Sequence, residues 1–237
     1  MEPKIIGGWS QFWDVPPPSS FSYAIYGMIT SLDTLTNPGN KSPHHKPNFT
    51  QCDLMWAYGG GGCSPSGYPL ENGIADIVNA SVNNQWNGVD FDDECYMNTS
   101  NIIRVMTQLK SHGIQSNYTF LAGADYVNQG VGVEQIKEIV AANCCERFCL
   151  MCYGAEMWSM QDINQYVDKA IKQTIDITGD KSKVILALTP AGLNDDNLKV
   201  FLNAVVSNDI GGLFIWEYKN LSPKYLDAIV TTLAIAK

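Results

Sequence analysis

Short runs of β-branched and aromatic residues alternate along the chain with longer segments in which apolar residues recur three and four apart. This is the pattern of a parallel sheet wrapped by helices. Eight runs read as strands: Lys4–Trp9, Tyr23–Ile29, Leu54–Tyr58, Gly88–Glu94, Tyr118–Ala122, Phe148–Tyr153, Val184–Leu188 and Gly212–Trp216. Several are apolar without interruption, as strands covered on both faces are. Helical spacing is clearest in the second half, over Val133–Ala142, Met160–Thr178, Asp195–Ser207 and Pro223–Ile235. N-caps are expected at Ser222, before Pro223, and at Thr99 or Ser100. The first third is less regular: 14–22 contains three consecutive prolines and 37–52 is rich in Pro, Asn and His, so neither can be a regular helix. The prediction is an α/β fold, a (β/α)8 TIM barrel whose first two crossovers are irregular, with long loops at the end where barrel active sites are built.

At 237 residues, 45% of them hydrophobic and 16% charged, the chain has the size of one barrel, and residues 1–237 are expected to form a single domain. With 24 acidic and 15 basic residues the net charge is −9. That charge repels a polyanion, so nucleic acid is not an expected partner. The longest apolar runs, such as Ile210–Trp216, fall far short of the ~20 residues needed to cross a bilayer, and no basic flank precedes an apolar stretch at the N-terminus. Neither a membrane span nor a signal peptide is expected in this chain. Seven cysteines do not decide the compartment. Sequons at Asn48, Asn79, Asn98, Asn117 and Asn220 favour a secreted, lysosomal or vacuolar location, although Asn117 falls in an expected buried strand and Asn79 in an expected helix.

The chemistry concentrates in Asn87-Gly88-Val89-Asp90-Phe91-Asp92-Asp93-Glu94. Period two puts Asp90, Asp92 and Glu94 on one face of a strand, about 6–7 Å apart, and turns Val89 and Phe91 toward the helices. In a barrel the first face is the interior, where like charges raise one another's pKa and resist desolvation. Such a ladder serves to hold Glu94 protonated near neutral pH, as a general acid requires. A retaining hydrolase with its own nucleophile needs two carboxyls roughly 5 Å apart on opposite sides of the scissile bond. Neighbours on one strand cannot flank a sugar that way, so the nucleophile would come from the substrate. The competing readings are a solvated acidic turn and a hard divalent-cation site, but the spacing does not match an EF-hand loop. Neither a metal nor another cofactor is expected.

NGVDFDDE resembles the DGxDxDxE strand of family 18 glycoside hydrolases, the chitinases and endo-β-N-acetylglucosaminidases. Other strands agree in order. Leu54 to Gly61 resembles their SxGG third strand, Met151-Cys152-Tyr153 the M-x-Y of the sixth, and Gly211 to Glu217 the GGxMxW of the eighth, while Ala122 to Tyr126 falls where the fifth reads AAPQ. The resemblance implies cleavage of β-1,4-linked N-acetylglucosamine, in chitin or chitooligosaccharides, by substrate-assisted retaining catalysis. It implies that Glu94 protonates the glycosidic oxygen and later activates water. Asp92 would orient the 2-acetamido group, whose carbonyl oxygen attacks C1 to give an oxazolinium intermediate, and Asp90 would share charge with Asp92. Tyr153 would hydrogen-bond that carbonyl, and Trp216 would floor the distorted sugar. Tyr58, Gly60, Asp125, Tyr126, Trp9 and Trp158, at or near strand ends, are further expected substrate-binding residues.

Asn87, Ala57 and Gly154 depart from the family pattern, each replacing a residue the motifs usually carry. An endo-β-N-acetylglucosaminidase acting on N-glycans is the rival within the family, because the doubled acid Asp92-Asp93 resembles that branch. A catalytically weak chitinase-like lectin or storage protein is the rival outside it. Trp216 and the compact size favour the chitinase, with a monomer and a GlcNAc-containing glycan as the expected state and partner.

Other residues carry less. Cys144, Cys145, Cys149 and Cys152 offer a C-x-x-C pair, but if Tyr153 points into the barrel then Cys149 points in and Cys152 out, so they cannot chelate one ion. A Cys52–Cys63 disulfide across the third strand is one possible pairing. His44-His45 reads as solvated loop. The Gly59 to Gly62 run lacks the ending of a P-loop and fits a sharp strand exit or close approach to substrate.

Overall fold

The computed structural model describes residues 4–37, 39, 41–63, 70–122, 131–153 and 159–235. Eight parallel strands close on themselves in sequence order. They are β1 Ile5–Ser10, β2 Tyr23–Ile29, β3 Asp53–Gly59, β4 Gly88–Asp93, β5 Gln115–Leu121, β6 Arg147–Met151, β7 Val184–Leu188 and β8 Gly212–Trp216. Around them lie α1 Leu32–Thr36, α2 Leu70–Asn83, α3 Thr99–Ser111, α4 Val131–Ala142, α5 Met160–Thr178, α6 Asp195–Ser207 and α7 Pro223–Ile235. This is the predicted (β/α)8 barrel. All eight strands fall where the apolar runs placed them. β5 begins earlier, at Gln115, because polar residues face the interior there, and β4 and β6 end before Glu94 and Tyr153.

Alternation divides the apolar side chains into two cores. Trp9, Ile25, Met55, Ala57, Cys149, Met151, Ile185, Ala187 and Phe214 fill the barrel, while the intervening residues of each strand pack against the helices. Cys149 is therefore inside and Cys152 outside, as the strand period requires. At the base, Arg147 is buried and donates to Gln115 Oε1 (2.9 Å) and Asn117 Oδ1 (3.2 Å), bonds the Tyr23 hydroxyl, and lies 4.0 Å from the Tyr23 ring centroid. Asn117 is fully buried with its amide oxygen engaged, so the sequon there is closed to modification in the folded chain.

The first two crossovers are irregular, as expected. Residues 11–22 contain no helix, and 30–52 holds only the five-residue α1. Aromatic side chains do the covering instead. Trp13 and Phe21 are buried; the Trp13 indole donates to Gly27 O (3.1 Å) and meets Trp86 edge-on. The cap of α3 is Asn98, not Thr99 or Ser100: its side chain accepts from Asn101 N. A short Asn amide reaches the free N–H groups of a first turn well, which is why it caps. Ser222 does cap α7, accepting from Tyr225 N (3.3 Å).

The disulfide joins Cys63 to Cys95, which corrects the Cys52–Cys63 pairing. Cys52 precedes β3 and Cys63 follows it, so the strand separates them by roughly 20 Å, well beyond the reach of a disulfide. Cys52 stays half-buried as a free thiol.

At the exit of β3, Gly59 has φ +116°, and a Cβ there would sit 2.1 Å from Asp92 O and 2.4 Å from Met97 Cε. Gly59→Ala is expected to cost more than about 2 kcal/mol in urea unfolding; a loss under about 0.5 kcal/mol would show that this close approach relaxes freely.

Candidate active site

The site is built on β4. Asp90 is fully buried and accepts hydrogen bonds from Trp9 Nε1 (2.7 Å) and Thr119 Oγ1 (2.6 Å). Burial pushes its carboxyl up to about 6, an effect that the two donors only partly offset. One strand period further on, Asp92 is 5% exposed. Its carboxyl is held well above the ordinary range by burial, then by the charges of Asp90, Glu94 and Asp93. Asp92 Oδ1 has no hydrogen-bond partner among the described residues. Donors on Asp90 favour its ionised form and Asp92 lacks such support, so of the two Asp92 holds a proton the more tightly.

Asp93 points the other way. It accepts from the Tyr118 hydroxyl (2.8 Å) and from the backbone N–H groups of Cys95 (3.4 Å) and Met97 (2.8 Å). Glu94 leaves the strand: its N–H and that of Gly60 both donate to Asp92 O, at 3.2 and 2.8 Å. Its carboxyl lies over Gly61, whose added Cβ would be 3.5 Å from Glu94 Oε2. The side chain is open to solvent at the mouth, yet the walls around the carboxyl desolvate it enough to raise its pKa. Tyr153, just beyond β6, has its hydroxyl pKa raised by burial and then by the charges of Asp92, Glu94 and Asp90.

These groups meet in a cleft of about 530 Å³ at the C-terminal end of the barrel. Asp92, Glu94, Tyr153 and Trp216 line it together with Gln11, Met28, Thr30, Lys41, Gly61 and Gly62. The structure thus brings together four of the expected residues, with Asp90 directly beneath them. It moves three others. Trp9 is 1% exposed and is spent on Asp90 and an edge-on contact with Phe214 (5.4 Å between centroids), so it holds a catalytic-face carboxyl and does not line the cleft. Tyr58 is fully buried on the outer face of β3, against Trp56 and Phe91, because on that strand Met55 and Ala57 take the inward positions. Gly60 supports the Asp92 carbonyl from behind, while its successors Gly61 and Gly62 form the wall. Asp125, Tyr126 and Trp158 lie outside the described residues, as does Gly154.

Several lining residues escaped the sequence reading. Gln11 directly follows β1, and its N–H is fixed by Glu217 Oε2 (2.9 Å), whose other oxygen accepts from Ser10 Oγ (3.0 Å). Its place just past a strand end was a signal of the kind used elsewhere. Thr30 and Lys41 lie on the irregular second crossover, where no period indicates direction. Asn87, a departure from the family pattern, sits at the opposite end of the barrel, accepting from Leu54 N (3.0 Å) and donating to Asp53 Oδ1 (3.1 Å). Among the described residues no group of three or more His, Cys, Asp or Glu could hold a metal ion.

Raised carboxyl pKa values fix a sign. A carboxyl whose folded pKa lies above its unfolded one contributes fully below the unfolded value and loses that contribution as pH rises through the folded value. For Asp90 the rise from 3.8 to about 6 corresponds to about 3 kcal/mol lost by pH 7. An Asn at position 92 cannot ionise. The stability of Asp92→Asn relative to wild type is therefore expected to increase between pH 4 and pH 8 in urea unfolding; a difference that stays level would mean that Asp92 titrates as it does in the unfolded chain.

No family model and no curated protein matches the chain, but solved structures do. A GH18 chitinase from Pseudoalteromonas aurantia superposes with a TM-score of 0.72 at 13% identity, over 96% of this chain and 99% of that one. The catalytic domain of a GH18 chitinase from the fern Peteris ryukyuensis gives 0.66 at 17%, over 98% and 100%. A fungal endo-β-N-acetylglucosaminidase of glycosyl hydrolase family 18 gives 0.69 at 16%, over 97% of each. The chain has the (β/α)8 fold of these glycosidase domains along its whole described length.

Proposed function

We propose that the protein is a retaining glycoside hydrolase that cleaves β-1,4-linked N-acetylglucosamine in chitin or chitooligosaccharides, with the substrate's acetamido oxygen as nucleophile. The observation that carries this is the composition of the cleft. Its described lining holds two carboxyls, Asp92 and Glu94, and both come from the end of one strand. Among the described residues no other carboxylate lines the cleft, and two carboxyls from one strand end cannot flank a single bond, which supports a nucleophile that comes from the substrate.

In this reading Glu94, protonated through its raised pKa, gives its proton to the glycosidic oxygen as the C1–O bond breaks. The acetamido carbonyl oxygen closes on C1 from the other face. Asp92 accepts from the acetamido N–H with its unpartnered oxygen, and the Tyr153 hydroxyl donates to the carbonyl oxygen. As Asp92 ionises to accept that bond, its proton passes to the Asp90 carboxylate beneath it, which becomes neutral. Glu94, now ionised, removes a proton from the water that opens the oxazolinium ring, and the product keeps the β configuration. Trp216 offers a flat apolar face to the sugar ring.

Asp93 bears on the choice of substrate. The doubled acid favoured an N-glycan endoglycosidase, but Asp93 faces away from the cleft and is consumed by Tyr118, Cys95 and Met97. That supports chitin over the N-glycan reading, and the complete Asp92, Glu94 and Tyr153 set supports an enzyme over a lectin.

The test is mass spectrometry of chitopentaose incubated with wild type and with Glu94→Gln. Wild type is expected to give shorter oligomers with a β-anomeric end, and the variant to be slower by at least roughly 100-fold. Intact chitopentaose after incubation with wild type would overturn the proposal.

A further inference from the structure

Two residues beyond Glu94 stands Tyr96, at 69% the most exposed large apolar side chain among the described residues. It has φ +60°, and it is the only aromatic among the described non-glycine residues with positive φ. The left-handed region is strained for a bulky residue, so the surroundings must impose it. They do. Asp93 Oδ1 accepts from the N–H groups on both sides of Tyr96, those of Cys95 and Met97. Cys95 is tied by its disulfide to Cys63. The side chains of Cys95 and Met97 are buried. The turn therefore buries positions 93, 95 and 97 and presents 94 and 96.

A strained backbone with this much support yields one thing: a bare aromatic side chain carried on a firmly held turn two residues from the general acid. Burial does not account for the ring, and its flanks would be held equally well with glycine between them. Two residues span at most about 7 Å, so Tyr96 is within one sugar ring of the Glu94 backbone. The Glu94 carboxyl must reach the glycosidic oxygen, which places the departing sugar on the Glu94 side. Trp216 ends β8, and in a closed ring of eight strands β4 and β8 are diametrically opposed. Trp216 and Tyr96 thus leave the barrel at opposite points of its rim: Trp216 lines the cleft, and Tyr96 stands just outside that lining on the Glu94 side.

We propose that Tyr96 forms a stacking subsite for the leaving sugar, a pyranose whose C–H face packs on the ring. This rests on the glycosidase reading above. Tyrosine suits the task, since it supplies a large amphipathic face at low conformational-entropy cost. The chain's strain at this position is then the means by which the ring is kept from collapsing onto the apolar surface formed by its neighbours.

The experiment is calorimetric titration of chitopentaose into Glu94→Gln, which binds without turnover, carrying Tyr96, Tyr96→Phe, Tyr96→Ala or Tyr96→Gly, with melting temperatures taken on the same samples. Affinity is expected to fall roughly tenfold for Ala and Gly and to stay within about twofold for Phe. Tyr96→Gly is expected to melt no lower than its parent, since it relieves the left-handed strain. Equal affinity across the series would overturn the subsite while leaving the hydrolase reading intact. A parallel loss of affinity and melting temperature, in Phe as in Ala, would assign Tyr96 a merely structural role. No binding by the Tyr96-bearing protein, together with no cleavage by wild type, would overturn the function itself and the subsite with it.

Discussion

The site depends on a buried carboxyl at the centre of the barrel. Asp90 can occupy that position only because the Trp9 indole and the Thr119 hydroxyl donate to it from β1 and β5. An unpaired charge there would cost far more than the fold can spare. Once Asp90 is held, everything above it on β4 is constrained. Asp92 sits one strand period higher in its field with its pKa raised, and Glu94 emerges at the mouth with its own pKa raised. Arg147 closes the base beneath, bonded to neutral amides and a tyrosine and not to any of the acids. The interior thus runs from a cation at one end to a partly protonated acid stack at the other. That stack is a reserve of proton affinity, assembled at the cost of stability in neutral solution.

Much of this was legible because two periodicities govern it. Period two in NGVDFDDE decides that Asp90 and Asp92 share the inner face, and Glu94 reaches the same cleft from the turn just past the strand. The same rule separated Cys149 from Cys152 and removed the zinc reading. Where the rule was set aside, the expectation failed. Tyr58 was assigned to the substrate because it lies near a strand end, but its parity on β3 sends it outward; Trp9 has inward parity yet is consumed by an acid one strand cluster away. Proximity to a strand end is a weaker guide than parity, and parity does not reveal which inward groups satisfy one another.

The remainder was not legible for a different reason. Crossovers without helices have no period, so nothing in residues 30–52 announces that Thr30 and Lys41 reach the cleft. The Cys63–Cys95 link joins residues from the exits of adjacent strands, and only the three-dimensional register of β3 against β4, with Gly59 beside Asp92, brings them together. Asp93 shows the converse: its sequence position within an acidic run suggested substrate chemistry, while its hydrogen bonds make it the anchor of the following turn.

The two helix-poor crossovers leave an imprint beyond geometry. Their covering role falls largely to a few aromatic side chains such as Trp13 and Phe21, and beside the single short helix α1 the connecting stretches contribute Gln11, Thr30 and Lys41 to the cleft. Substitutions at those three positions would therefore reshape one wall of the cleft without touching Trp9 or Thr119, the donors that hold the buried acid beneath it.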